Sequence, residues 1–249
     1  MPPLITLLSD FGLRDSYVAE MKAALLGHLP DARIVDITHD LAPGDVVAAR
    51  YLLGRTWNRF PSGTVHLVVV DPGVGTDRRA LAAAAHGHRF VAPDNGVLTD
   101  VLASAEVVGL PTPRAVSATF HGRDLFAPAA AALAAGTTLA SLGQAVADPV
   151  RLPTPELHDT AGGMTGEVIY VDRFGTLVTN LRPEHVVRGG AVMVGKIAAP
   201  VRSTFGDVEP GEFVAFVGSG GTVEIAVRNG SAVARTGAGV GSAVQAGRV

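Results

Sequence analysis

Residues 65–70, VHLVVV, form a nearly unbroken run of β-branched and other apolar side chains that stops at Asp71. A strand with one wet face alternates apolar and polar residues, so a run that is apolar almost throughout predicts a strand covered on both sides in the middle of a sheet. The text before it has the matching rhythm. LITLLS, SYVAEMKAALLGHL, RIVDIT and VVAARYLLGRTWNRF alternate short apolar runs with amphipathic stretches. This alternation predicts an α/β N-terminal domain with a mainly parallel sheet covered by helices. Further on, AHGHRFVAPDNG reads as two short strands with a turn at His86 and Gly87, and DLFAPAAAALAAG as a helix that starts close to Pro128 and stops at Gly136.

Between residues 151 and 162 the chain is rich in proline and turn formers and has no apolar period, which marks a linker after a first domain at 1–150. From 163 to 249 the pattern changes to alternating strands and turns, as in GEVIYVDRFGTLVTNL and GEFVAFVGSGGTVEIAVRNGSAV, which predicts a small all-β domain.

Bulk properties exclude several functions. A net charge of −3, with the 20 basic residues scattered, gives no field to hold nucleic acid or an anionic membrane. Without cysteine the chain has no disulfide and no thiolate metal ligand, and no metal site is expected. MPPLITLLSDFG lacks the basic start of a signal peptide, and no apolar run nears the roughly 20 residues that span a bilayer, so a cytoplasmic location is expected.

Ligands of open α/β sheets bind beyond the carboxyl ends of the strands, where loops and helix N-termini converge. Asp10 follows LITLL and Asp71 follows VHLVVV, so both carboxylates are expected at the same sheet edge. Taken singly, Asp10 is better read as an N-cap for the helix beginning near Asp15 and Asp71 as a turn former before Pro72. DPGVGTDRR carries no phosphate-loop spacing, but its paired glycines allow a tight loop that returns Arg78 toward Asp71; on spacing alone Arg78 is slightly better read as a solvated loop charge. His121, between Phe120 and Gly122 just ahead of a helix, is a hydrogen-bonding candidate. His66 lies within a strand and is expected to be packed, and Arg123 and Asp124 to cap and solvate the helix.

Taken together and in order, TLLSDFG with DSYVAEMKAAL, ITHDLAPGDVVAARYLL, VVVDPGVGTDRR, VAPDNGVLT, TFHGRDLFAPAAAALAAG, VIYVDRFGTLVTN and GSGGTVEIAVRNGSA resemble the S-adenosylmethionine hydroxide adenosyltransferase family, relatives of the fluorinases and chlorinases. The resemblance implies an α/β domain followed by a β-barrel-like domain, in a homotrimer whose active sites lie between subunits. It implies a catalytic set of Asp71, Arg78 and His121 that activates a water to attack ribose C5′ of S-adenosylmethionine and expel methionine, leaving adenosine. No cofactor is implied; S-adenosylmethionine is the substrate. Asp10 and Phe11 fall on ribose-contacting positions, and Asp172, Phe174, Asn180, Ser219 and Glu224 on segments that hold adenine and the amino acid end. Thr176 stands where relatives often carry asparagine.

The halogenases resembled place a tyrosine at the position of Asp71 and tyrosine and serine at those of His121 and Gly122. A carboxylate aimed at the nucleophile repels halide, so the resemblance implies water as nucleophile. The same contacts without turnover would make a sensor of S-adenosylmethionine or adenosine. Halide-dependent adenosyl transfer is the remaining enzymatic alternative.

Overall fold

The computed structural model describes residues 2–113 and 115–247, and the chain divides into two compact units between Leu152 and Pro153. Four strands of the first unit run parallel, in the order β2 (Arg33–Thr38), β1 (Leu4–Ser9), β3 (Val65–Val69), β5 (His88–Pro93). Crossovers through helices α1 (Tyr17–His28) and α2 (Val46–Thr56) link the first three. β3 is buried at every residue because its two faces meet two separate cores. Val65, Leu67 and Val69 pack toward Met21 and Leu25 of α1 and toward Phe126 and Leu133, the latter in α3 (Ala127–Ala134). Val68, with Val70 just past the strand, packs toward Ala49 and Leu53 of α2 and toward Phe90 of β5. Each Val or Leu side chain so buried contributes roughly 1.5–3 kcal/mol.

The expectation of a mainly parallel sheet needs correction, because the seven-stranded sheet is mixed and the helices that cover it are few. β4 (Ala80–Ala85) pairs antiparallel with β5 and with β6 (Glu106–Leu110), and β7 (Gln144–Ala145) pairs antiparallel with β6. The physical reason is the two-residue turn at His86 and Gly87, whose positive φ values of 51° and 78° fit a tight hairpin. A parallel partner needs a crossover of a dozen or more residues, and none separates β4 from β5.

The second unit is one eight-stranded antiparallel sheet that nearly closes on itself. β12 (Ile197–Pro200), β11 (Ala191–Val194), β15 (Ala243–Ala246), β9 (Gly163–Val171), β10 (Leu177–Thr179), β14 (Val223–Val227) and β13 (Phe213–Val217) follow one another in space, and β8 (His158–Thr160) pairs with β9. The two ends meet where Arg202 N–H donates to the Ala215 carbonyl at 2.9 Å. Val168, Leu177, Val192, Ile225 and Val244 fill the interior. No described helix is long and apolar enough to cross a membrane.

His66 is packed, fully buried in β3, where Thr6 Oγ1 meets its Nδ1 at 2.7 Å and His88 its Nε2 at 3.1 Å. Burial, with His88 adding to it, pushes its pKa down from the ordinary 6.5 to about 3. The unfolded chain therefore binds this proton well before the folded one does. The resulting stability is fully present above pH 6.5 and is lost toward pH 3, at on the order of 1 kcal/mol per pH unit. Urea unfolding at pH 7 and pH 5 is expected to show this loss, and His66→Asn, which keeps a partner for Thr6, is expected to flatten it. Equal pH slopes in the two proteins would contradict the assignment.

Candidate active site

The loop that follows β3 answers the problem set by its sequence. Val74 N–H donates to the Asp71 carbonyl and Thr76 N–H to the Gly73 carbonyl, each at 3.2 Å, so the chain folds back on itself in two successive turns. Gly75 has φ +78°, and a β-carbon there would lie 2.7 Å from the Ala118 carbonyl oxygen. Only glycine both takes this conformation and lets the loop lie against the segment that carries His121. The fold-back returns Arg78 to Asp71 as a two-pronged ion pair: Nε donates to Oδ1 at 3.0 Å and Nη2 to Oδ2. The guanidinium also lies over the Phe126 ring, 5.2 Å from its centroid.

His121 precedes a π-helical turn, Gly122–Phe126, that leads into α3. Gly122 is closely packed: a β-carbon there would lie 3.2 Å from Met21 Sδ and 3.3 Å from Val69 Cγ1. That close approach sets His121 against the end of β3. Arg78 Nη2 donates to His121 Nδ1 at 3.1 Å, and since arginine has only donors, the neutral ring carries its proton on Nε2. Asp71, Arg78 and His121 are thus one hydrogen-bonded cluster; the Asp71 and Arg78 side chains are 5% and 9% exposed, and His121 is buried.

Asp71 and His121 line a cavity of about 510 Å³ together with Asp10, Phe11, Tyr17 and Phe120. Parallel pairing of β1 with β3 puts Asp10 and Asp71 at the same sheet edge. Asp10 is not an N-cap; Ser16 holds that position for α1, and Asp10 Oδ2 accepts from Gly44 N–H at 2.6 Å. Gly12 N–H donates to the His39 carbonyl at 2.7 Å and Ser9 Oγ meets His39 Nδ1 at 2.7 Å, which tie the loop bearing Asp10 and Phe11 to the loop after β2. Phe11, Tyr17 and Phe120 form a mutually tilted trio with centroids 5.4–5.8 Å apart. At its rim Arg123 lies over Phe120 and pairs with Asp124 and Glu20. Its guanidinium holds the Asp124 carboxyl below the usual range.

Tyr17, Phe120 and Gly44 escaped the sequence reading. The aromatic pair looks like ordinary helix-face and loop packing in the text, and the bond from Gly44 to Asp10 spans 34 positions.

In the second unit the named residues lie in two turns and on or beside the strands that flank them, with Asn180 just past β10 and Glu224 in β14. Asp172 Oδ1 accepts from Phe174 N–H at 2.9 Å and from Thr176 N–H at 2.8 Å, which closes a tight turn where Phe174 is 78% exposed. Asn180 is engaged internally, accepting from Glu167 N–H at 2.7 Å and donating to the Pro155 and Glu156 carbonyls at 3.3 and 3.2 Å. Ser219 sits in the turn between β13 and β14, and Glu224 lies over Gly218, whose β-carbon would collide with the carboxylate. The antiparallel register puts the Asp172–Phe174 turn beside the C-terminal end of β14, and the Ser219 turn beside the other end of that ladder. Among the described residues no group of three or more His, Asp or Glu is arranged to hold a metal ion.

Comparison with known proteins places this geometry in context. Residues 5–143 match the SAM hydroxide adenosyltransferase N-terminal domain and residues 166–245 the C-terminal domain of that family. An (R)-S-adenosyl-L-methionine hydrolase of Thermus thermophilus is 45% identical, over 90% of this chain and 92% of the relative. One of Salinispora tropica is 43% identical, over 92% of each chain. The crystal structure of an uncharacterized conserved protein from Thermotoga maritima superposes with a TM-score of 0.91 at 37% identity, covering 98% of this chain and all of the other. With both family domains matched in order and relatives of this identity along nearly its full length, the chain belongs to the SAM hydroxide adenosyltransferase family.

Proposed function

We propose that the protein hydrolyses S-adenosyl-L-methionine at ribose C5′, giving adenosine and L-methionine. The observation that carries this reading is the buried Asp71–Arg78–His121 cluster at the wall of an aromatic-lined cavity. The activity for which the hydrolase relatives are named supports it. A sulfonium leaves as a neutral thioether, so no acid is needed at sulfur; what the reaction lacks is a nucleophile.

The cluster supplies one. With Nδ1 held by Arg78, His121 offers its Nε2–H to a water oxygen, and the carboxylate of Asp71 is the acceptor for that water's proton. Arg78 fixes the carboxylate by two bonds and stabilises charge as hydroxide character develops. The water oxygen bonds to C5′, the C5′–S pair departs with sulfur, and the proton passes to Asp71 and then to solvent. Asp10, with one oxygen on Gly44, keeps the other for the vicinal hydroxyls of the ribose. Phe11, Tyr17 and Phe120 line the cavity with aromatic surface suited to a sulfonium cation. Asp71 also disfavours halide in the nucleophile position. No cofactor enters these steps.

The active form in this reading is a cytoplasmic homotrimer, in which a neighbouring subunit's Asp172, Phe174, Asn180, Ser219 and Glu224 contact adenine and the amino acid end. The exposure of Phe174 supports it, since a large apolar side chain left in solvent suits a contact with another chain.

Asp71→Asn is expected to lower adenosine release from S-adenosylmethionine by about 10²–10⁴-fold while the Kd for adenosine holds, as read by chromatography and calorimetry. Retained turnover would remove Asp71 from the mechanism, and 5′-chloro-5′-deoxyadenosine formed with chloride present would favour halide transfer. Light scattering is expected to give the trimer mass, and Phe174→Ala to raise KM by about tenfold or more with little change in kcat. A monomer with full activity, or an unchanged KM, would contradict shared sites.

A further inference from the structure

The loop from Asp71 to Arg78 is held at both stems by two adjacent residues that lie outside the cavity. β5 is placed between β3 and β4 in the sheet, so its C-terminal end emerges between the point where the loop leaves β3 and the point where it enters β4. The first two residues after β5 are Asp94 and Asn95.

Asn95 Nδ2 donates to the Val70 carbonyl at 2.9 Å, one residue before Asp71. Asp94 takes the other stem, one residue after Arg78. Its N–H donates to the Arg79 carbonyl at 2.9 Å, and its Oδ2 accepts from Arg79 Nε at 2.7 Å. The Asp94 side chain is only 2% exposed, and its Oδ1 is anchored in turn by Val150 N–H at 2.7 Å. The Arg79 carbonyl also accepts from Arg78 Nη1 at 3.2 Å, so the far stem touches the guanidinium directly.

We propose that Asp94 and Asn95 are positioning residues for hydrolysis, a clamp that sets the spacing between the loop's two stems and so the register of the Arg78–Asp71 pair behind the attacking water. Neither reaches the cavity lining. Their effect passes through the backbone at Val70 and Arg79, and a displacement of about 1 Å there is enough to cost on the order of a hundredfold in rate. Asn95 also accepts from Val97 N–H at 3.2 Å, a local turn contact that is separable from the clamp.

The inference rests on the hydrolase reading above, and the test separates the two. Steady-state hydrolysis, adenosine calorimetry, thermal unfolding and amide hydrogen exchange of residues 71–79 are measured for wild type, Asn95→Ala, Asn95→Asp and Arg79→Ala. Asn95→Asp keeps the acceptor for Val97 and loses the donor to Val70. The clamp predicts that all three variants lose about tenfold to a hundredfold in kcat. It also predicts an adenosine Kd within about twofold, with faster exchange confined to the loop. Full kcat in Asn95→Asp and Arg79→Ala, or a parallel collapse of kcat, Kd and thermal midpoint in all variants, overturns it. If wild type releases no adenosine, the hydrolase reading falls and exchange alone decides: faster loop exchange in the variants supports the clamp, and unchanged exchange overturns it.

Discussion

The site depends on the two-pronged pairing of Arg78 with Asp71 inside a largely water-excluded wall. A buried carboxylate without a partner is costly, and removing one member of such a pair costs about 3–5 kcal/mol because the other is left uncompensated. The pair can exist only because the loop between the two residues closes tightly. That closure needs Gly75 at φ +78° against the Ala118 carbonyl, and a strand end held from both sides. The guanidinium also fixes the imidazole, since one nitrogen serves both the carboxylate and His121 Nδ1. A single cation therefore sets the orientation of both groups that face the cavity, and its own position behind them leaves the cavity wall with carboxylate and imidazole.

The sheet converts this local chemistry into a site. Parallel pairing of β1 with β3 brings Asp10 to the edge where Asp71 emerges, and the cavity there also takes Tyr17, the first residue of α1, and His121, just ahead of the π-helical turn that leads into α3. The antiparallel insertion of β4 has a use in this arrangement. It puts both stems of the Asp71–Arg78 loop on strands that flank β5, where a purely parallel order would have sent the chain away through a crossover.

Local features were legible in the sequence. VHLVVV reads as a doubly covered strand because burial on both faces removes alternation, and the structure shows that cause directly: Val65, Leu67 and Val69 enter the core on the α1 side, and Val68 and Val70 the core on the α2 side. The glycine pair of DPGVG announces a tight turn because such a turn needs positive φ and close approach, both properties of the backbone alone. What stayed hidden was set by distant partners. The hairpin at His86 and Gly87 was visible, but the docking of β4 beside β6 was not, since no local pattern chooses which strand pairs with an edge. Asp10 read as a helix cap because its true partner, Gly44 N–H, comes from a loop 34 positions away. Tyr17 and Phe120 carried no signal beyond ordinary packing, and the roles of Asp94 and Asn95 emerge only once β5 is seen between the two stems.

The account turns on where the new bond forms, and hydrolysis in ¹⁸O-labelled water reads this most directly. Attack by an activated water at ribose C5′ predicts one ¹⁸O in the 5′-hydroxyl of the adenosine released and none in the methionine. Adenosine without the label, or label recovered in homoserine beside methylthioadenosine, would mean that the oxygen attacks elsewhere and would contradict the mechanism built on Asp71, Arg78 and His121.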